Sequence, residues 1–237
     1  MNKYLVGIST YNEGQKIARV IQKFNDYSLY DVLIVDDGST DHSLDHLVES
    51  QHFIIIKNEH NQGVGYTVKQ TIDFSKEKGY EAVIFVSGND KDDPNDVVKL
   101  IEGIEQGDDF VQGSRYLPGG GIGGDMPFYR KLATRIYPLV FSLMVMRKVT
   151  DFTNGFRAIR TTMFNDHRID INQPWLYQYE LEPYLFFKAV KLGYKVIEVP
   201  VRKIYPKKEE GYTKMKPFSG WWSILRPIIF LGLGIKK

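Results

Sequence analysis

The stretch Val32-Leu33-Ile34-Val35-Asp36-Asp37-Gly38-Ser39-Thr40-Asp41 is the part of the sequence that most constrains the fold. Its four apolar residues predict a buried strand, which two carboxylates and a glycine follow directly. The glycine permits a tight turn, and carboxylates at a strand end can accept hydrogen bonds from a base or a ribose. The same pattern is typical of an ordinary turn with a helix cap, so its meaning depends on the residues around it.

Short apolar runs alternate with helical patterns on both sides of this stretch. The predicted strands are Tyr4–Ser9, Val32–Val35, Phe53–Ile56, Ala82–Val86 and Phe110–Gln112. The predicted helices, with apolar residues every three or four positions, are Glu13–Phe24, Ser43–Ser50, Val64–Lys78 and Pro94–Gln106. This alternation favours an α/β fold, a Rossmann-like three-layer sandwich with a mostly parallel central sheet.

Polar clusters follow three of the predicted strands, at Thr10–Glu13, Asp36–Asp41 and Ser87–Asp93. Ligands of parallel sheets bind beyond the carboxyl ends of the strands, where such clusters meet. The sequence therefore predicts one site that is built from three loops.

The second half of the chain is less regular. The predicted elements are a flexible glycine-rich loop at Gly119–Gly124, helices at Tyr129–Met146 and Tyr179–Leu192, a polar loop at Thr150–Gly155 and a strand at Lys195–Val201. Residues 220–235 are strongly apolar but too few for a membrane span, which needs about 20 residues. Two interpretations stay open: an interfacial segment with Trp221 and Trp222 at headgroup depth, or a helix packed on the domain.

Composition and charge narrow the function classes. The sequence contains no cysteine, which excludes disulfides and thiolate metal sites and is compatible with a reducing compartment. The first residues enter a predicted strand without the pattern of a signal peptide. Residues 191–237 carry eleven Lys and Arg against three Glu, a balance of +8, so the net charge of +2 leaves −6 on the rest. A basic end on an acidic body favours attraction to an anion such as phosphate or a lipid surface.

Seven short motifs occur in an order that resembles the family-2 glycosyltransferases with the GT-A fold, specifically the dolichyl- and polyprenyl-phosphate sugar synthases. They are S-T-Y-N-E (9–13), V-D-D-G-S-T-D (35–41), N-Q-G-V-G (61–65), G-S-R-Y (113–116), D-F-T-N-G-F-R-A (151–158), E-V-P-V (198–201) and G-Y-T-K (211–214). The resemblance implies a GT-A domain over residues 1–216, with a nucleotide-sugar-binding half (1–115) and an acceptor half (116–216). Residues 217–237 then form the apolar and basic C-terminal segment.

The resemblance also assigns roles to individual residues. The residues expected to bind the nucleotide are Thr10, Tyr11, Glu13, Asp36, Asp37, Gly38, Asn61 and Gly63, with Asp36 and Asp37 left as alternatives for the closest contact. Arg115 is expected beside the sugar diphosphate, and Arg157 and Lys214 are expected to face phosphate groups. These three residues and Asp90 form the predicted catalytic set.

The loop after the fourth strand departs from the family pattern. The family's D-x-D, which helps hold Mg²⁺ or Mn²⁺ against the diphosphate, would fall on Ser87 and Asn89. Hard cations accept carboxylate and amide oxygens, so the sequence predicts a divalent cation on Asn89 and Asp90. The alternative is that Lys91 neutralises part of the diphosphate charge.

The basic C-terminal part of the chain, residues 191–237, favours a phosphate as the acceptor. A hydroxyl acceptor needs a general base, whereas a phosphate monoester is already an anionic nucleophile and needs positive charge to hold it. The predicted acceptor-phosphate residues are Arg157, Arg202, Lys208, Thr213 and Lys214. Glu180 and Glu182 keep the alternative open, because either residue is a candidate base towards a sugar hydroxyl.

The sequence thus predicts an inverting transferase that moves a sugar from a UDP- or GDP-sugar to a polyprenyl or dolichyl phosphate. A family-2 transferase acting on a glycan hydroxyl and a non-catalytic nucleotide- or anion-binding module remain as alternatives. The basic residues show no nucleic-acid motif, so no nucleic acid partner is expected. The expected location is cytoplasmic, peripheral at a membrane surface or bound to a membrane protein.

Overall fold

The computed structural model describes residues 2–45, 47–207, 215 and 219–236. The strands in this part of the chain are β1 (Tyr4–Thr10), β2 (Tyr30–Asp36), β3 (Phe53–Lys57), β4 (Ala82–Ser87), β5 (Phe110–Ser114), β6 (Gly121–Gly124), β7 (Arg157–Arg160), β8 (Val196–Pro200) and β9 (Arg202–Tyr205). The α-helices are α1 (Gln15–Lys23), α2 (Val64–Lys78), α3 (Val97–Glu105), α4 (Phe128–Val145), α5 (Leu181–Lys191) and α6 (Ser219–Gly232). Short 3₁₀ turns lie at Pro94–Asp96, Thr161–Asn165 and Pro174–Leu176.

Seven strands form one sheet in the order β3-β2-β1-β4-β7-β5-β8. All neighbouring strands are parallel except β7, which runs antiparallel between β4 and β5. The predicted α/β fold with a mostly parallel central sheet is confirmed. The short strand β7 was not predicted, because four residues with an arginine at each end carry no clear strand pattern.

Helices cover both faces of this sheet. One face buries Ile17 and Val20 of α1 together with Leu100 of α3. The other face buries side chains of four helices, namely Val68 and Ile72 of α2, Phe141 of α4, Leu185 of α5, and Ile224 and Ile228 of α6. These three layers leave the carboxyl edge of the sheet uncovered by helices, and the loops that follow the strands lie there.

Two local predictions were wrong. Residues 43–45 form a turn and residues 47–49 have no regular structure, where a helix was expected. The Asp41 carboxylate accepts hydrogen bonds from Ser43 and from the backbone N–H of Gly14, and these bonds tie the turn to the loop after β1. The predicted glycine-rich loop contains strand β6, which pairs in parallel with β9 through backbone bonds that need no side chains.

The C-terminal helix α6 packs on the domain. Ile224 and Ile228 are buried in the core, and Arg226 forms an ion pair with Glu180 at the N-terminus of α5. The packed helix is therefore the arrangement that the structure has, with Trp222 on its exposed side. Among the described helices, none combines the length and the apolar character that crossing a bilayer requires.

Candidate functional site

The loops that follow β1, β2 and β4 meet at the carboxyl edge of the sheet. Thr10 lies opposite Asp36, and Ser9 lies opposite Ser87, in the register of the parallel strands. The Asn12 side chain accepts a hydrogen bond from the backbone N–H of Thr40 at 2.7 Å. The structure thus joins the polar clusters that the sequence predicted to share one site.

The neighbouring residues Asp36 and Asp37 have different hydrogen-bond partners. Asp37 accepts hydrogen bonds from the backbone N–H groups of Gln62 and Gly63 at 2.9 and 2.8 Å, so it holds the loop before α2. Asp36 is fully buried, and its Oδ1 accepts a bond from the backbone N–H of Ser39 at 2.9 Å. Its Oδ2 has no hydrogen-bond partner among the described residues. Of the two aspartates, Asp36 is the one with an acceptor left for a ligand.

Two other buried oxygens at this edge lack a partner among the described residues, Oγ1 of Thr10 and Oδ1 of Asn89. Buried polar atoms in native proteins almost always have a hydrogen-bond partner, because an unmade bond costs free energy. Three such oxygens at the ends of β1, β2 and β4 point to a polar ligand at this edge.

The two glycines in the predicted nucleotide-binding set, Gly38 and Gly63, allow other backbone segments to approach closely. Gly38 has a φ of 76°, and a Cβ there would lie 2.7 Å from the backbone of His60. At Gly63 a Cβ would lie 2.5 Å from the carbonyl oxygen of Tyr177. Other members of the set keep their side chains partly or fully exposed in the loops, namely Tyr11, Glu13 and Asn61.

Beside these loops lies a cavity of about 170 Å³ that is rich in positive charge. Among its described lining residues are five cationic side chains but a single carboxylate, that of Glu182. The five cations are Lys91, Arg115, Arg130, Arg157 and Lys203. Such a lining favours an anion, because it brings fixed positive charge into a partly dry site.

Arg115 is the most firmly held of these cations. Its Nε and Nη2 donate to the two carboxylate oxygens of Asp151 at 2.6 and 2.8 Å. Two further bonds go to the hydroxyl groups of Thr153 and Tyr205. Burial disfavours the charge, but the attraction of Asp151 outweighs burial and raises the pKa of Arg115 above its ordinary value. Arg115 thus presents a permanent and immobile positive charge to the cavity.

Two other guanidinium groups of the cavity carry donors without partners in the described part of the chain. Arg157 is almost fully buried and contacts Glu182, with 3.6 Å between its Nη2 and the carboxylate, while its Nε has no partner among the described residues. Burial lowers the pKa of Arg157 from its ordinary value. In Arg130 the buried Nη1 likewise has no partner among the described residues, and the group lies over the rings of Tyr205 and Trp221.

The predicted acceptor-phosphate residues divide into three groups according to where the structure places them. Arg157 lines the cavity as expected, whereas Arg202 is exposed and lies outside it. Alternation along β9 turns the neighbouring residues Lys203 and Tyr205 inwards instead. The remaining expected residues, Lys208, Thr213 and Lys214, lie outside the described part of the chain.

The sequence interpretation did not single out Lys203 or Arg130. Strand alternation would have suggested Lys203, had β9 been recognised in the run Arg202–Tyr205. Arg130 gave no local signal, because its position in the cavity depends on how α4 packs against the sheet.

The two candidate bases, Glu180 and Glu182, lie in different surroundings. Glu180 is fully buried and pairs with Arg226 at 2.5 Å, so it anchors α6 and does not line the cavity. Glu182 does line the cavity, beside Arg157 and Gly155. Only Glu182 remains placed to act on a ligand there.

A mostly parallel sheet with a cation-rich cavity at its carboxyl edge is typical of α/β proteins that bind phosphorylated ligands. The chain belongs to glycosyl transferase family 2, whose model matches residues 5–168. It is therefore a glycosyltransferase, and the fold is the GT-A fold.

Relatives with assigned names agree with this family. The chain is 25% identical to polyprenol monophosphomannose synthase of Mycolicibacterium smegmatis, over 89% of this chain and 80% of that protein. It is 26% identical to undecaprenyl-phosphate mannosyltransferase of Micrococcus luteus, over 90% and 87%. It is 30% identical to dolichol-phosphate mannosyltransferase of Pyrococcus furiosus, over 67% of this chain and 46% of that protein.

A solved structure shares the fold. Glucosyl-3-phosphoglycerate synthase from Mycobacterium tuberculosis, in complex with Mn²⁺, uridine diphosphate and glucosyl-3-phosphoglycerate, superposes with a TM-score of 0.69 at 15% identity. The match covers all of this chain and 81% of that one. At this identity the likeness supports the fold alone.

The residues after β4 do not fit a divalent cation well. Asp90 forms ion pairs with Arg19 and Lys23 of α1, both at 2.6 Å, and does not line the cavity. Asp92 pairs with Lys203 at 2.5 Å. The predicted ligands thus reduce to the neutral oxygen of Asn89, and the described residues contain no group of three or more His, Asp or Glu suited to a metal.

Proposed function

We propose that this glycosyltransferase moves a sugar from a nucleoside diphosphate to a polyprenyl phosphate and inverts the configuration at the anomeric carbon. The observation that carries the proposal is the cavity, in which five cationic side chains face one carboxylate and two guanidinium groups hold buried donors without partners among the described residues. A site that receives two phosphorylated substrates needs this excess of positive charge. The names of the relatives from M. smegmatis and M. luteus point to the same acceptor class.

Donor binding follows from the order of the loops. Asp36 and Thr10 offer to the nucleoside the oxygens that lack a partner among the described residues, and the loop held by Asp37 closes that end of the site. The diphosphate then extends towards the ends of β4 and β5, where Lys91 and Arg115 lie. Fixed charges in this position stabilise the negative charge that grows on the leaving diphosphate.

The transfer itself needs no base in this proposal. An oxygen of the acceptor phosphate attacks the anomeric carbon, the bond from that carbon to the diphosphate oxygen breaks, and the diphosphate leaves with the electron pair. No proton has to move, because the phosphate monoester is already an anion at neutral pH. We assign acceptor binding to Arg157 and Lys203, which both line the cavity, and retain Lys214 as an expected contributor.

The sequence predicted Mg²⁺ or Mn²⁺ as cofactor, and the M. tuberculosis enzyme with this fold does contain Mn²⁺. The described side chains do not supply a set of ligands suited to a divalent cation. No step of the proposed reaction is therefore assigned to a metal ion.

A glycan hydroxyl remains the second candidate acceptor, since Glu182 lies in the cavity and is a candidate base. Its ion pair with Arg157 favours a structural role, because the carboxylate already has a cationic partner.

A sugar-transfer assay distinguishes a polyprenyl phosphate acceptor from a glycan hydroxyl acceptor. Purified protein is incubated with UDP- and GDP-sugars and with polyprenyl phosphate in detergent, and the sugar on extracted lipid is measured. We expect a lipid-linked sugar, an at least roughly 100-fold loss in Lys203→Met, and a loss of about threefold or less in Glu182→Gln. Lys99→Met, outside the cavity, is the matched control.

Transfer to soluble glycans that disappears in Glu182→Gln would replace the phosphate acceptor with a hydroxyl. Donor binding without transfer to any lipid phosphate would also contradict the proposal.

Peripheral attachment to a membrane is the second part of the proposal. Helix α4 leaves a row of large apolar side chains exposed, namely Phe128, Tyr129, Leu132, Ile136, Leu139 and Leu143, followed by Met146. Residues 128–148 contain five Lys or Arg and no acidic residue. Apolar and basic residues together match the surface of an anionic bilayer, where the lipid acceptor would lie. We propose further that the protein attaches to the cytoplasmic face of that membrane.

The double variant Leu139→Glu/Leu143→Glu is expected to weaken binding to vesicles that contain phosphatidylglycerol by at least about tenfold. The reason is that two exposed apolar side chains are replaced by charges that an anionic surface repels. Co-sedimentation with vesicles measures the effect. Val98→Glu, an exposed apolar residue on α3, is the matched control and should bind as the parent does. Equal loss in both variants would place the attachment elsewhere.

A further inference from the structure

We propose that basic side chains centred on Lys91 take the place of a divalent cation in this enzyme, so that the donor diphosphate binds without metal. This inference rests on the proposed function, because it concerns the same nucleotide-sugar site. It concerns Lys91, which lies two residues after Asn89, the second position of the family's metal-binding pair.

The backbone holds Lys91 in the cavity. The carbonyl group of Lys91 accepts a hydrogen bond from the N–H of Ile204 at 2.8 Å, and Asp92 forms an antiparallel bridge with Lys203. The loop after β4 is thereby attached to strand β9. Lys91 is 4% exposed, and its Nζ lies 5.3 Å from the centre of the Tyr205 ring. The ammonium group is thus confined to the wall of the cavity.

Two carboxylates of the loop after β4 already have cationic partners. Asp90 pairs with two cations of α1, and Asp92 pairs with Lys203 and also accepts the N–H of Ser87. Glu13 pairs with Lys16 at 3.8 Å. The two positions that replace the D-x-D pair, Ser87 and Asn89, offer only neutral oxygens. None of these groups brings the uncompensated negative charge that would offset a divalent cation.

The charges that do face the cavity at this point are positive. Burial and repulsion from Arg130 and Lys203 lower the pKa of Lys91 to about 7, and attraction by Glu13 and Asp92 offsets the repulsion only in part. A metal ion would add to this repulsion, whereas a diphosphate would relieve it. A bound diphosphate would favour the protonated form of Lys91, and the ammonium group would supply the positive charge that a metal ion otherwise supplies.

Nucleotide binding by metal-free protein tests the inference directly. The protein is stripped of metal, and UDP and GDP are titrated by calorimetry in EDTA, in Mn²⁺ and in Mg²⁺. We expect the nucleotide that binds to do so in EDTA, with a dissociation constant within about threefold of the values in metal. Lys91→Gln should weaken this binding at least about tenfold, because a charge-assisted contact to phosphate is lost.

Three further variants make the test specific. Lys69→Gln, in an ion pair on the surface of α2, is the matched control and should bind as the parent does. Lys91→Arg keeps the charge and should retain metal-free binding, which separates loss of charge from misfolding. In the triple variant Ser87→Asp/Asn89→Asp/Lys91→Gln the carboxylate pair is restored, so we expect nucleotide binding that requires added Mn²⁺.

The outcomes separate the inference from the proposed function. Binding of UDP or GDP that needs Mn²⁺ or Mg²⁺ in the parent protein would overturn the inference and leave the nucleotide-sugar function intact. Binding of neither nucleotide under any of the three conditions would overturn both.

Discussion

Asp151→Asn is expected to lower the free energy of unfolding by about 3–5 kcal/mol and to reduce sugar transfer by at least roughly 100-fold. Asp151 is fully buried and accepts two side-chain bonds and one backbone bond from Arg115. The amide of asparagine keeps the size of the side chain but leaves the guanidinium charge buried without a counter-charge. Such a charge is costly, since burial alone disfavours it. Transfer falls as well, because Arg115 is no longer held in the wall of the cavity.

Urea denaturation followed by circular dichroism gives the stability, and lipid-linked product at a temperature where the variant is folded gives the activity. Asp73→Asn, in a half-exposed ion pair with Lys69, is the matched control and should change the free energy of unfolding by about 0.5 kcal/mol or less. A loss of similar size in both variants would mean that the buried pair has no special role in stability.

Gly65→Ala is expected to destabilise the protein by about 3 kcal/mol and to weaken nucleotide binding at the same time. A Cβ at this position would lie 2.1 Å from the carbonyl oxygen of Leu176 and 2.6 Å from that of Gln178. Backbone atoms cannot move aside as a flexible side chain can, so α2 and its preceding loop must shift away. That loop is the one that Asp37 holds beside the unpaired oxygen of Asp36.

The thermal midpoint and calorimetric binding of UDP and GDP measure the two effects. Gly121→Ala is the matched control, because no atom of the described residues, apart from its two chain neighbours, lies within 4 Å of the position that its Cβ would take. Its backbone conformation is open to alanine. It should fold and bind as the parent does. Parent-like stability of Gly65→Ala would show that the contact with residues 176–178 is not tight in solution.

The sequence predicted much of the fold because its signals there are local. Helix α2 was predicted with its observed bounds, since its apolar periodicity ends at Gly79, which adopts the left-handed conformation of a helix cap. The strands β1, β2 and β4 are apolar runs that are buried on both faces, and such runs depend little on their partners. The meeting of three polar loops then followed from the parallel arrangement.

The roles within the site were only partly predictable. The motifs led to Asp36 and Asp37 together, and the structure separates them through their hydrogen bonds to different loops. Glu180 and Glu182 are two residues apart in the sequence, yet one anchors α6 and the other lines the cavity. Neither distinction has a local signature, because each depends on which distant segment lies opposite.

By itself, the sequence determined the α/β architecture, the family and the edge of the sheet where the site lies, since periodicity and motif order are properties of neighbouring residues. Tertiary structure alone decided which cations share the cavity. It brought Arg130 from α4, Lys203 from β9 and Lys91 from the loop after β4 to one wall, where their mutual repulsion favours an anion. The physical reason is that electrostatic interactions depend on distances in space, and long-range pairing of strands and helices sets those distances.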